Sequence, residues 1–182
     1  MSEFSDNKIL ELFRNEDTRN YGFNLLIKKY QKKVYWQARR IVICHDDAND
    51  ITQNVFIKIW KNLDTFREES LLFSWIYKIT NNESLTFLKK KRSFLSVPFE
   101  GLENQLSDCL KEESILDTNS IQFKLQKAIL KLPEKQKIVF NMRYYENLTY
   151  KEISQILGTS VGALKASYHI AIKKIEKYLK EN

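Results

Sequence analysis

The chain has 182 residues, 43% of them apolar, with four glycines, two prolines, two cysteines and a net charge of +7. That apolar content excludes wholesale disorder, the scarcity of turn residues disfavours a β protein, and the length suits one large or two small domains built of long helices. The basic excess favours a polyanionic partner, a solvated basic surface being the alternative.

The opening stretch MSEFSDNKIL has neither a basic n-region nor an apolar h-region, so no signal peptide is expected. No apolar run approaches the length of a bilayer. Cys44 and Cys109 are too few for a disulfide framework, and a reducing cytoplasm is the expected setting.

From Tyr21 to Val42, Leu26, Tyr30, Val34 and Ala38 step by four and predict a helix with basic residues on its other faces. A second helix is predicted from Asp46, with Asp46 and Asp47 suited to its cap and first turn. On it Ala48, Val55, Phe56, Ile59 and Leu63 share a core stripe. Opposite lie Asp47, Asp50, Gln53, Asn54 and Lys61, with Ile57 among them. Such a face is either solvated or a protein interface.

The stretch from Leu71 to Lys91 is helical in pattern and rich in aromatic residues, ending in KKKR. Trp75 and Ile79 read as core. Tyr77, Lys78, Asn81 and Asn82 share another arc, and stacking rings beside amide donors are what unpaired bases require. Aromatic core is the competing reading.

Charge divides the chain. Residues 1–92 carry 17 basic and 12 acidic side chains, residues 93–120 one and six, and residues 121–182 twelve and five. Pro98, Gly101 and several serines fall in the acidic middle, which reads as a linker with at most a short helical turn. The expectation is an all-α fold: two small helical domains, 1–92 and 121–182, joined by an acidic linker, 93–120.

Beyond the linker, helices are predicted over Ile121 to Leu132, stopped by Pro133, over Glu134 to Tyr145, and from Thr149. In LTYKEISQILGTSVGALKASY, Thr149 and Glu152 form a T-x-x-E capping box, Gly158 suits a left-handed turn, and Ser160 can cap the next helix. Two short helices at this spacing predict a helix-turn-helix; a plain helical hairpin shares the pattern, and the lysines of the last helix weigh toward DNA. On that helix Val161, Leu164, Tyr168, Ala171, Ile172, Ile175 and Leu179 face inward. Ala166, His169 and Ile170 lie outward, with Lys173, Lys174 and Lys177 toward the end. Lysines there would meet phosphate, and small or apolar residues can pack on thymine methyls.

Catalytic signatures are sparse. Cys44-His45-Asp46-Asp47 has metal-binding residue types but no second cluster at ligand spacing, so a surface loop is favoured over a zinc site. There is no glycine-rich phosphate loop and no H-E-x-x-H. The expectations are no enzyme, no metal, no cofactor and no small-molecule substrate.

Three stretches together resemble bacterial sigma factors of the small extracytoplasmic-function group. DANDITQNVFIKIWKNLDTF is similar to the family's polymerase-binding helix, FREESLLFSWIYKITNN to its promoter −10 segment, and LTYKEISQILGTSVGALK to its −35-binding helix-turn-helix. The resemblance covers residues 20–92 and 121–180. It implies that Asp47, Asp50, Gln53 and Asn54, with Ile57 on the same face, contact the clamp helices of the largest subunit of core RNA polymerase. Phe56 and Trp60 also align with that motif.

For the −10 element it implies Ser70, Trp75, Tyr77 and Asn82, to which the arc adds Lys78 and Asn81; residues 64–72 would hold a flipped base. For the −35 element the expected residues are Lys165, Ala166, His169, Ile170, Lys173 and Lys174. Here the chain departs from the family: Ala163, Ala166, Ser167, Ile170 and Ile172 stand where the pattern has Thr, Ser and arginines. Reading by shape and methyl contact is therefore expected in place of an arginine fork on guanine. The acidic linker would thread a basic RNA-exit channel, a flexible tether being the alternative, and the family adds an anti-sigma factor as a candidate partner. The rival functions are a stand-alone helix-turn-helix regulator on an operator, which lacks a recognisable sensor or dimer surface here, and a structural helical adaptor.

Overall fold

A computed structural model describes residues 4–95, 109 and 121–181; it is all helical, with no strand among the described residues. In chain order the α-helices are α1 (Asp6–Arg14), α2 (Arg19–Val42), α3 (His45–Asn62), α4 (Leu72–Leu95), α5 (Ile121–Leu130), α6 (Glu134–Tyr144), α7 (Tyr150–Leu157) and α8 (Val161–Glu181). Short 3₁₀ turns follow α1, at Glu16–Thr18, and α3, at Leu63–Thr65.

Helices α1 to α4 close one core. Its centre is built from Leu26, Tyr30, Val34 and Ala38 of α2, Ile51, Val55 and Ile59 of α3, and Ile76 of α4. Helix α1 has no counterpart in the expectations above. It buries Ile9, Leu10 and Phe13, crosses α2 at Gly22, and starts where Ser5 Oγ accepts from the Lys8 amide. A Cβ on Gly22 would lie 2.7 Å from the Phe13 amide nitrogen, so the crossing requires glycine.

Helix α3 begins one residue before Asp46. Its N-cap is Cys44, without a side-chain cap, and Asp46 and Asp47 sit in the first turn, where carboxylates offset the helix dipole. Cys44 is disulfide-bonded to Cys109, with Cα atoms 5.7 Å apart, a single bridge where a reducing setting is expected. Proximity of two distant positions is a tertiary fact that a count cannot supply. Both ring nitrogens of His45 are engaged, Nδ1 with Tyr35 Oη and Nε2 with Asn49 Nδ2.

Helix α4 extends through residues 93–95, so the predicted linker begins inside a helix; apart from Cys109, the rest of that linker lies outside the described residues. Helices α5 to α8 form two smaller clusters. One joins Ile138, Val139 and Met142 of α6 to Ile153 and Ile156 of α7 and Leu164 of α8; the other joins Ala128 and Ile129 of α5 to Phe140 of α6 and Ala171 and Ile175 of α8. Each half lends a side chain to the other: Tyr77 packs in the α6–α8 cluster, and Leu130 in the α1–α4 core.

Candidate nucleic-acid and protein interfaces

The helix-turn-helix forms as its local chemistry dictates. Thr149 Oγ1 accepts from the Glu152 amide while Glu152 Oε2 accepts from the Thr149 amide, so both bonds of the capping box are present. The Thr149 hydroxyl, donating to Glu152 Oε2 at 2.7 Å, and after it the Thr149 amide hold the Glu152 carboxyl below its usual range. Gly158 ends α7 at φ +64°, its N–H donating to Ser154 O at 2.8 Å, and Ser160 Oγ accepts from the Ala163 amide to start α8. No atom lies within 4 Å of a Cβ on Gly158, so conformation, not crowding, selects glycine.

Helix α8 divides by its 3.6-residue period. Leu164, Ala171 and Ile175 are buried, and Val161, Tyr168, Ile172 and Leu179 are half-buried. Lys165, Ala166, His169, Ile170, Lys173 and Lys174 are all exposed, Ile170 at 44%.

On α3, Asp50, Gln53, Asn54 and Ile57 form an exposed strip opposite the buried Ala48, Ile51, Val55, Phe56 and Ile59. Ile57 is 52% exposed. Asp47 is half-buried, because Lys91 Nζ of α4 binds its Oδ2 at 2.6 Å. Trp60 lies partly buried against Phe13 and Phe23, beneath the Arg19 guanidinium. It therefore belongs to the core and not to the strip.

The −10 candidates separate. Ser70 is half-buried in the loop before α4 and lines a cleft of about 400 Å³ with Asp6, Glu68, Glu69 and Leu71. Glu68 holds a left-handed backbone, φ +57°, and pairs with Arg14 at 2.7 Å. Lys78 and Asn82 are exposed. Tyr77 and Asn81 are buried: the Tyr77 hydroxyl donates to Glu146 Oε2 at 3.0 Å, and Asn81 Oδ1 accepts from Gln37 Nε2 at 2.8 Å. Burial pushes the Tyr77 phenol up to about 12, the nearby Arg40 opposing it. The same burial lowers the Arg40 guanidinium. Helical spacing groups these residues on one arc, and what covers the arc is decided by distant segments.

Arg40, Asn141 and Glu146 were not anticipated. Arg40 forms an ion pair with Glu146, stacks at 4.6 Å on the Tyr145 ring, and offers its backbone carbonyl to Asn141 Nδ2 at 3.2 Å. No local pattern marks three residues that meet across about a hundred positions of chain.

Among the described residues, no three His, Cys, Asp or Glu side chains are grouped to hold a metal, and no helix is long and apolar enough to cross a membrane.

The comparisons agree with this geometry. Residues 26–94 match the family described as Sigma-70 region 2, and residues 122–175 match Sigma-70, region 4. The ECF RNA polymerase sigma-E factor of Haemophilus influenzae is 28% identical, over 96% of this chain and 95% of the relative. The fold is similar to that of CnrH, solved in complex with the cytosolic domain of CnrY: TM-score 0.69 at 17% identity, covering 97% of this chain and 98% of that one. It is also similar to the sigma factor RpoE of Bartonella quintana, solved with the anti-sigma factor NepR: TM-score 0.65 at 19% identity, covering 87% and 96%. With both regions matched in order across most of its length, the chain belongs to the sigma-70 family, as an alternative RNA polymerase sigma factor of the extracytoplasmic-function group.

Proposed function

We propose that this sigma factor directs promoter-specific initiation through three surfaces on two units, residues 1–92 and 121–182. The α3 strip, Asp47, Asp50, Gln53, Asn54 and Ile57, takes core polymerase. Ser70, Tyr77, Lys78, Asn81 and Asn82 read the −10 element, and Lys165, Ala166, His169, Ile170, Lys173 and Lys174 take the −35 duplex. The observation that carries this reading is the exposed face of α8, where apolar and small residues precede a lysine pair on a capped helix-turn-helix. Phosphate contacts by Lys173 and Lys174 would set position, while Ala166, His169 and Ile170 would meet base edges.

The chain would work in the cytoplasm without a cofactor, binding and melting DNA while the polymerase performs the chemistry. The acidic segment 93–120 would suit a basic channel in the polymerase. The RpoE relative's complex with NepR makes an anti-sigma factor a fitting partner here too.

The test is run-off transcription with purified core polymerase on a genomic promoter library. A sigma factor starts transcripts only with core, and Asp50→Lys should weaken association with core while leaving the fold intact, since exposed substitutions usually cost within about half a kcal/mol. An operator-binding regulator would bind its site without core and start nothing. That result would sink the proposal, as would normal core affinity of a folded Asp50→Lys variant for the α3 assignment.

A further inference from the structure

We infer that Cys44 and Cys109 form a redox site: reduced, the chain takes core polymerase through the α3 strip, and bridged by reaction with a low-molecular-weight disulfide it is held off. The inference rests on the proposed cytoplasmic setting and on the assignment of α3 to the polymerase.

The bridge stands where the fold does not require a staple. In a reducing compartment a disulfide is usually transient and redox-sensing. Among the described residues, the α1–α4 core is built from positions 9–88 and Leu130, so it closes without the segment that carries Cys109. Both cysteines are half-buried, which leaves the sulfurs within reach of small thiols and disulfides.

Cys44 is held by a tight corner, since Ile43 and Cys44 alone separate α2 from α3. Ile43 is 4% exposed, its amide donates to Arg39 O at 2.8 Å, and it holds φ +68°. A β-branched residue adopts that conformation only where its surroundings impose it. Cys44 is also the N-cap of α3, where the helix dipole favours a thiolate, and Asp47 in the first turn is paired with Lys91. Cys109 comes from beyond α4, so the bridge encloses the whole of α3 and α4.

The exchange balances. The Cys44 thiolate attacks one sulfur of the small disulfide, forms a mixed disulfide and expels one small thiolate. The Cys109 thiolate then attacks the Cys44 sulfur, closes the bridge and expels the second. Two cysteine thiols are oxidised, the small disulfide is reduced, and the two cysteine protons end on the two small thiols. The same steps in reverse reopen the bridge.

Position gives the bridge its effect. Asp47 and Asp50 follow Cys44 by three and six residues, which places the start of the strip within about 9 Å along the helix. Asp108, Glu112 and Glu113 flank Cys109 in sequence. The two cysteine Cα atoms are 5.7 Å apart, and chain extends roughly 3.4 Å per residue, so a few residues suffice to reach Asp50. The bridge thus keeps acidic chain beside the carboxylates that are to meet the polymerase, and bulk and like charge there oppose docking.

The experiment uses the full chain and purified core polymerase in glutathione buffers poised from reducing to oxidising. Alkylation with a bulky maleimide reports the thiol state, and binding to immobilised core reports affinity. Wild type should pass from dithiol to bridge within the cytosolic range of poise, and its affinity for core should fall in step by roughly tenfold, the size of a coupling between two sites. Cys44→Ser keeps a favoured N-cap residue and should bind core in every buffer as reduced wild type does.

A pair that stays bridged, or stays reduced, in every buffer overturns the inference. So does a bridged chain that binds core as well as the reduced one or better. Cys44→Ser weakening in the oxidising buffers together with wild type would place the effect in the polymerase and overturn it too. Reduced Asp50→Lys keeps the two layers apart. Normal binding of core by that variant means that the α3 assignment has failed; weak binding, with wild type indifferent to poise, means that the assignment stands and the redox site falls.

Discussion

Ile170 and Lys173 illustrate how one turn of α8 can divide two kinds of work. Both are exposed on the same side of the helix, and neither has a structural task. A phosphate contact acts on every sequence alike, whereas a base contact acts at one position. Lys173→Ala is therefore expected to weaken binding of all −35 variants and to reduce the salt slope by about 1. Ile170→Arg should move the preference toward guanine at a single position, since the guanidinium fork pairs with O6 and N7. Binding of a −35 duplex library by holoenzyme at several salt concentrations measures both. Reversed outcomes would mean that the two roles have been exchanged.

Single helices depend on a few ends and crossings. The capping box of α7 satisfies amides that the helix itself leaves open, so Thr149→Ala should lower stability by about 0.5–2 kcal/mol in denaturant melts. Its pH dependence has a definite sign. The Glu152 carboxyl titrates below its ordinary value because Thr149 binds the charged form, so its stabilisation is present above that ordinary value and fades as acid protonates it. Thr149→Ala should then cost least at acid pH; a penalty that grows on acidification would contradict the box. At the α1–α2 crossing, any side chain on Gly22 meets backbone, which cannot swing aside. Gly22→Ala should cost about 1–3 kcal/mol, as overpacking does, or free α1 to exchange its amide hydrogens. A wild-type melt with α1 still protected would show that the helices part easily.

Across the whole molecule, the contact between the two halves includes a buried phenol that is kept neutral. Burial raises Tyr77 to about 12, above its ordinary value of 10, so closure favours the protonated phenol. The stabilisation is complete below pH 10 and is lost as pH rises toward 12. A tyrosinate beside the Glu146 carboxylate would add like-charge repulsion to the lost donor. The chain should thus expand on titration from pH 9 to 12 before its helical circular dichroism is lost, and Tyr77→Phe should shift that expansion to higher pH. Simultaneous loss of compactness and helicity would place the alkaline weakness elsewhere.

What the sequence determined by itself is whatever acts over a few residues. The all-helical class, the two basic regions, the capping box, the left-handed Gly158 and the face of α8 all follow from period, cap chemistry and backbone sterics, and helix positions agree within a few residues at their ends. Helix α1 was not read, although Ile9, Leu10 and Phe13 carry its buried face, because one short apolar face has little meaning until α2 lies against it. Residues 93–95, placed with the linker on charge alone, continue α4, whose end charge composition cannot delimit. Only tertiary structure decided the fate of Tyr77 and Asn81. A helical wheel shows which side chains share an arc but not which distant segment desolvates that arc, and Arg40, Asn141 and Glu146 bear no local mark of meeting there. Burial is a property of the assembled surface, and the chemistry of Tyr77 follows from it.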